Sequence, residues 1–209
     1  MEWDDIPRAF KESYACLAHE APTECDHGAH WLLADRDGTG PRTDRNRAVP
    51  PELGEDQSGK WLVMVSPEEV DAVWAEVAGA TRAGELGPSS KAGTEWQRQA
   101  MRASTHLICA YCEDWRDIED LRRVLTALRR LGLSTGIASF KRDKDTIAGE
   151  YQDAGRLPNP SVWVAYAGGV EEPVRLYTKW LSTRWPFAKT ELDGTNDAEV
   201  ARKIEELWG

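Results

Sequence analysis

The sequence predicts an α+β fold in which helices gather on one face of a sheet, and three observations predict it. Gly59-Lys-Trp-Leu-Val-Met-Val65 followed by Ser66-Pro-Glu-Glu-Val-Asp-Ala-Val-Trp74 writes a strand, a capped turn and an amphipathic helix in sixteen residues. The same unit recurs once, with a strand over Thr105–Cys112 and a helix over Asp117–Leu131. Ser161–Tyr166 and Pro173–Tyr177 then read as a hairpin about Gly168-Gly169. Helix connections are present, but no Gly-rich strand-to-helix turn, no G-x-G-x-x-G and no P-loop, so a nucleotide-binding Rossmann sheet is disfavoured. The chain divides into an N-terminal extension, residues 1–58, with a short helix, one strand and a long loop, and an α+β core, residues 59–209.

In chain order, Ile6, Phe10, Tyr14 and Leu17 recur at helical spacing and predict a short helix. Trp31-Leu32-Leu33 is the core of one strand. Residues 36–58, rich in Gly, Pro, Asp and Arg, lack apolar periodicity and read as a loop. Lys60–Val65 is too uniformly apolar for a surface helix and reads as a buried strand. Ser66 as N-cap, Pro67 at the first helical position and Glu69 at the third form a capping box. Val70, Val73, Trp74 and Val77 then line one helical face, which fades over Gly79–Gly84.

In the second unit Ile118, Leu121, Val124, Leu125 and Leu128 line the apolar face of a helix stopped by Gly132. Arg122, Arg123, Arg129 and Arg130 load its solvated face and C-terminal end, where cations suit the helix dipole. A strand over Leu133–Phe140 follows, with Thr146–Tyr151 as the start of a short helix in one reading of that segment. Asp197–Trp208 closes the chain as a helix.

Composition excludes several functions. A net charge of −10 and a pI near 5.0 argue against a general nucleic-acid or anionic-membrane surface, so a polyanion must meet a local basic patch. No apolar run approaches the roughly 20 residues that span a bilayer, and Met1-Glu-Trp-Asp-Asp5 has neither part of a secretory signal; the expected location is cytoplasmic. Of the four cysteines, Cys16, Cys25, Cys109 and Cys112, Cys109-x-x-Cys112 has zinc-knuckle spacing, and Cys25-Asp-His27-Gly-Ala-His30 adds two imidazoles. Residues three apart on a strand point to opposite faces, so we expect no metal but buried thiols in a reducing compartment. No cofactor is implied.

The residues Gly59–Trp74, then Ser89-Ser-Lys-Ala92, then His106-Leu-Ile-Cys-Ala-Tyr-Cys-Glu-Asp-Trp-Arg-Asp-Ile-Glu-Asp-Leu121, resemble the Bles-type family, also described as a phosphothreonine lyase domain. The resemblance covers residues 59–150. That family is similar in fold to the cap-binding translation initiation factor 4E, which implies a curved, mainly antiparallel sheet carrying helices on its convex face. In the cap binder two tryptophans sandwich a methylated guanine, a neighbouring carboxylate reads the base, and basic residues hold the phosphates. By this resemblance Lys91 matches the basic residue of the phosphate segment. No Trp-Glu pair precedes Gly59, where Glu52-Leu-Gly-Glu-Asp-Gln-Ser58 stands, so Trp31 or Trp96 is left to supply a stacking ring.

Trp61, Trp74 and Trp163 sit on apolar faces and read as core. Trp31, Trp96 and Trp115 have polar neighbours and stay open between edge packing and ligand stacking, worth about 1–3 kcal/mol per base. Lys91, Arg98 and Arg102, with Lys141, Arg142 and Lys144, form a basic set in an acidic chain, and Tyr151 lies near as a polar specificity group.

The leading expectation is a binding module for a phosphate-bearing ligand, whether a nucleotide, an RNA end or a phosphorylated small molecule. Its site residues would be Lys91, Arg98, Arg102, Lys141, Lys144, Trp31, Trp96 and Tyr151. Two alternatives stay open. One is a lyase with Lys91 as base and His106 as acid, although the Lys-x-His motif of the bacterial phosphothreonine lyases is absent. The other is a scaffold that takes a protein partner on its helical face. Neither membrane nor duplex DNA is an expected partner.

Overall fold

The structure is a computed structural model that describes residues 21–26, 29–36, 42–44, 57–133, 136–147, 161–166, 174–178, 191–192, 198–199 and 202. Its strands are β1 (Trp31–Asp35), β2 (Arg42–Asp44), β3 (Gly59–Val65), β4 (Ser89–Gly93), β5 (His106–Cys112), β6 (Ala138–Arg142), β7 (Ser161–Ala165), β8 (Leu176–Thr178) and β9 (Glu191–Leu192). The helices are α1 (Val70–Arg82), α2 (Glu95–Ala100), α3 (Ile118–Arg130) and α4 (Asp143–Ile147). The chain forms two compact units, Met1–Arg47 with Val63–Ala110 and Ala48–Leu62 with Tyr111–Gly209, and the division falls within β3 and β5.

In the first unit β1 pairs antiparallel with β2 on one side and β4 on the other, and β4 pairs antiparallel with β5. Helix α1 packs on β1 and β4. Its buried stripe of Val70, Trp74, Val77, Ala78 and Thr81 has the spacing that the sequence predicts. Thr81 Oγ1 meets Ser90 Oγ at 2.8 Å, which fixes Ser90 on the α1 side of β4 and so turns Ser89 and Lys91 to the other side. The start of α1 differs in detail from the expected capping box. The Ser66 carbonyl accepts from the backbone N–H groups of Glu69 and Val70, but the Ser66 hydroxyl donates to the Glu69 carboxylate at 2.8 Å instead of capping a backbone group. The regular helix accordingly begins at Val70.

Among the elements that escaped the sequence reading are three of this unit. β4, Ser-Ser-Lys-Ala-Gly, has little strand propensity; it is held as a strand by antiparallel neighbours on both edges. β2 lies inside the segment expected to be loop. α2 is a six-residue helix opened by Thr94, whose hydroxyl accepts from the Gln97 N–H at 3.2 Å and donates to the Ala29 carbonyl.

The second unit places β3, β6, β7, β8 and β9 in ladder order, with every pairing antiparallel. Trp61 joins the sheet to α3: its indole N–H donates to the Leu121 carbonyl at 3.2 Å, and its ring meets Phe140 edge-on, centroids 5.2 Å apart. Gly59 is required at the start of β3, because a Cβ there would lie 2.5 Å from the Phe140 ring and 2.9 Å from the Lys141 carbonyl. Trp163, buried as expected, donates to the Trp115 carbonyl at 2.8 Å, and the Trp115 N–H donates to the Gln57 carbonyl at 2.8 Å. Trp115 is itself buried, which resolves it as core.

Two expectations for this unit are corrected. The strand expected over Leu133–Phe140 runs instead over Ala138–Arg142, since its ladder to β3 continues to Gly59↔Arg142, and α4 begins directly after it. Arg129 is buried, not solvated: it lies eleven residues, close to three full turns, beyond Ile118 and so continues the inward stripe. The helix expected over Ile6–Leu17 lies outside the described residues. Of the one expected over Asp197–Trp208, Ala198, Glu199 and Arg202 are described and are helical. No helix among the described residues is long and apolar enough to cross a membrane.

Candidate functional site

In the first unit the β1–β4 register sets Leu33 opposite Lys91 and Trp31 opposite Gly93, so Trp31, Leu33, Ser89 and Lys91 share the face turned from α1. Lys91 is 3% exposed, and its ammonium lies 4.1 Å from the centroid of the Trp31 ring. This is a close cation–π pair in a desolvated setting. Ser89, also 3% exposed, has a hydroxyl with no hydrogen-bond partner among the described residues. Sequence reasoning singled out Lys91 and Trp31 separately and missed Ser89. Its signal, a serine two residues from the lysine, becomes readable only once β4 is known to be a strand.

The other first-unit candidates are placed differently. Arg98 is held by Glu95 through Nε and Nη2, at 2.7 and 2.6 Å, and donates from Nη1 to the Ala103 carbonyl at 3.0 Å. That bidentate contact outweighs desolvation and brings the Glu95 carboxyl down from 4.5 to about 2. Arg102 is exposed with φ 51°, at the left-handed position that ends α2. Trp96 is 40% exposed on α2.

His106 is fully buried, with Nδ1 2.8 Å from the Gly93 carbonyl and Nε2 3.4 Å from Glu95 Oε2. Because a carbonyl only accepts, Nδ1 carries a proton and donates there. Lys91 is registered with Cys109, three residues from His106, so Lys91 and His106 leave opposite faces of the strand pair. The structure does not bring that acid and base together.

In the second unit Lys60 and Lys141 stand opposite each other across β3 and β6, on the face turned from that of Trp61. Lys60 donates to Asp143 and, at 2.9 Å, to Thr146, and lies 5.6 Å from the Tyr111 ring centroid. Ser58 donates to the other Asp143 oxygen at 2.6 Å, while the Asp143 N–H donates to the Ser58 carbonyl at 3.0 Å. Arg142 makes a bidentate pair with Asp145, at 2.8 and 2.7 Å, over the ring of Trp115. The contacts of Lys60 and Ser58 with Asp143 clamp α4 onto the start of β3, and the Arg142–Asp145 pair ties it to the end of β6, so these side chains hold the fold together. Lys141 is buried and Lys144 half-buried. Tyr151 lies outside the described residues.

Cys25, Cys109 and Cys112 are buried thiols outside any disulfide. Burial, with Asp120 close by, pushes the Cys112 thiol well above its ordinary range. Among the described residues no group of three or more His, Cys, Asp or Glu is placed to hold a metal ion.

No curated protein matches the chain. Among solved structures it is similar to eIF4E-3 of C. elegans, in complex with the 4E-binding protein Mextli and a cap analog. There the identity is 14% over 57% of this chain and 93% of that one, with a TM-score of 0.37. It is also similar to Ascaris suum eIF4E-3 with an m2,2,7G cap, at 14% identity over 63% of this chain and 93% of that one and a TM-score of 0.38. The sequence model of the basophilic leukemia-expressed protein Bles03 family matches residues 54–179, well over half of the chain, and the chain belongs to that family.

Proposed function

We propose that the chain is a binding module for a phosphate-bearing ligand with an aromatic group, and that the face carrying Trp31, Lys91 and Ser89 is its site. The observation that carries this reading is the Lys91 ammonium set 4.1 Å from the Trp31 ring centroid on a face that also holds the Ser89 hydroxyl, unpartnered among the described residues. Trp31 is half-buried and offers a ring to stack on. A phosphate supplies acceptors for both the ammonium and the hydroxyl, and its charge is best matched where the cation is least hydrated.

The lysine beneath the ring also sets a preference. A ligand ring stacked on the outer face of Trp31 would lie about 7–8 Å from the ammonium, where a like charge costs about 2 kcal/mol at an effective dielectric of 20. Neutral rings should therefore bind about thirtyfold more tightly than cationic, N-methylated ones of the same shape.

Isothermal titration calorimetry with nucleoside triphosphates, their N7-methylated counterparts and ribose phosphate tests both points. Trp31→Ala should weaken the aromatic phosphates by about 1–3 kcal/mol and leave ribose phosphate unchanged, while Lys91→Met should weaken all of them. Unchanged binding in both variants, with their circular dichroism intact, would sink the assignment. A preference for the methylated ring would overturn the charge argument alone.

A further inference from the structure

In the second unit Arg129 is 2% exposed on the inward stripe of α3, and one of its guanidinium nitrogens, Nη2, donates to the Tyr166 carbonyl at 2.8 Å. Nε and Nη1, which carry three N–H bonds between them, have no hydrogen-bond partner among the described residues. The contrast with other buried cations of this unit is direct: Lys60 has Asp143 and Arg142 has Asp145. The helix end does not absorb these donors either. The Leu128 carbonyl accepts from the Leu133 N–H at 2.9 Å and the Arg129 carbonyl from the Gly132 N–H at 2.9 Å, which closes the last turn on itself. A guanidinium kept from water with three donors unmet is a costly arrangement for a protein to build, and it favours whatever anion reaches it.

The surroundings give access. Ala138 and Ala165 are paired in the β6–β7 ladder, so Ile137 and Tyr166 are the next cross-strand pair beyond it, and both side chains are exposed, as is Gly132 just past the end of α3. The Tyr166 carbonyl that holds Arg129 thus belongs to a residue at the surface.

We propose that Arg129 anchors a second anion site, distinct from the Lys91 face, which takes a compact oxyanion: the carboxylate or phosphate group of a ligand whose apolar part lies along Ile137 and Tyr166. An oxyanion supplies several acceptors at once, as three N–H bonds aimed in different directions require.

The test is a titration of the full chain with sodium phosphate and, separately, sodium isobutyrate, at ionic strength held constant with chloride. The readout is the Arg129 Nε–H resonance in ¹H–¹⁵N spectra, assigned by its absence in Arg129→Lys. A saturable shift of that resonance with either oxyanion, and an affinity, read in both proteins from the backbone amide shifts of Ile137 and Tyr166, lowered by at least about tenfold in Arg129→Met, is the expected result; which titrant acts separates a phosphate site from a carboxylate site. Lys91→Met should retain the response, so failure of the Lys91 site leaves this one standing. Arg129→Met should also melt no lower than the wild type in chloride alone, since a buried charge gives way to an isosteric apolar chain. A resonance indifferent to both oxyanions, or an unchanged affinity in Arg129→Met, overturns the proposal.

Discussion

Arg102, a cation that the sequence offers for the ligand site, also has a backbone role in the fold. It ends α2 with φ 51°, and its N–H and that of Ala103 reach back to the carbonyls of Gln99 and Arg98, at 3.0 and 2.9 Å. Gly84 and Gly132 end α1 and α3 in the same way, each with φ 75°. Arginine alone of the three carries a Cβ in that conformation. Arg102→Gly should therefore stabilise the protein by about 0.5–1 kcal/mol, measured as the shift in its urea midpoint. The sequence marked Arg102 as a cation and could not show its backbone. Lys91 and Trp31 were both legible as residue types, but their meeting depends on the register Leu33↔Lys91, which pattern alone does not set.

At the scale of elements, α3 was the most legible, because five apolar positions at helical spacing and a terminal glycine agree with one another. Arg129 was misread there because a charged side chain was assigned outward by chemistry when its angular position is inward. β4 and α2 were illegible for a different reason: five small or polar residues and a six-residue helix carry little periodicity, and their neighbours impose their conformation. α2 also carries a pH dependence. Arg98 holds the Glu95 carboxyl at about 2 in the folded state against an ordinary 4.5, so between those values the unfolded chain binds more protons. The Glu95 contribution is complete above about pH 4.5 and is lost as pH falls through about 2. In Glu95→Gln, acid unfolding followed by circular dichroism should lose that part of the slope, about 1 kcal/mol for a partly exposed pair.

For the whole molecule, the charge of −10 is the dominant electrostatic fact. Self-repulsion of that net charge opposes compaction, and salt screens it. Raising sodium chloride from low to physiological concentration should stabilise the fold by about 1 kcal/mol, or about 2–4 °C in melting temperature; a fall in melting temperature would show that the surface ion pairs of Asp114–Arg116 and Asp120–Arg123 outweigh the repulsion. The sheet class was readable from the strand–helix units and the hairpin. The inclusion of β1 in it was not, because its partner β4 has no strand signal of its own.

The cation set against the Trp31 ring has an optical consequence. Trp61, Trp74, Trp115 and Trp163 are buried, so their emission reports the integrity of the core and little else. Trp31 is different: a positive charge at one face of an indole shifts the energy of its excited state, whose dipole differs from that of the ground state. An arriving phosphate would partly cancel that charge. A difference spectrum between the wild type and Trp31→Phe would isolate one indole among ten as an internal indicator of occupancy, with no label attached.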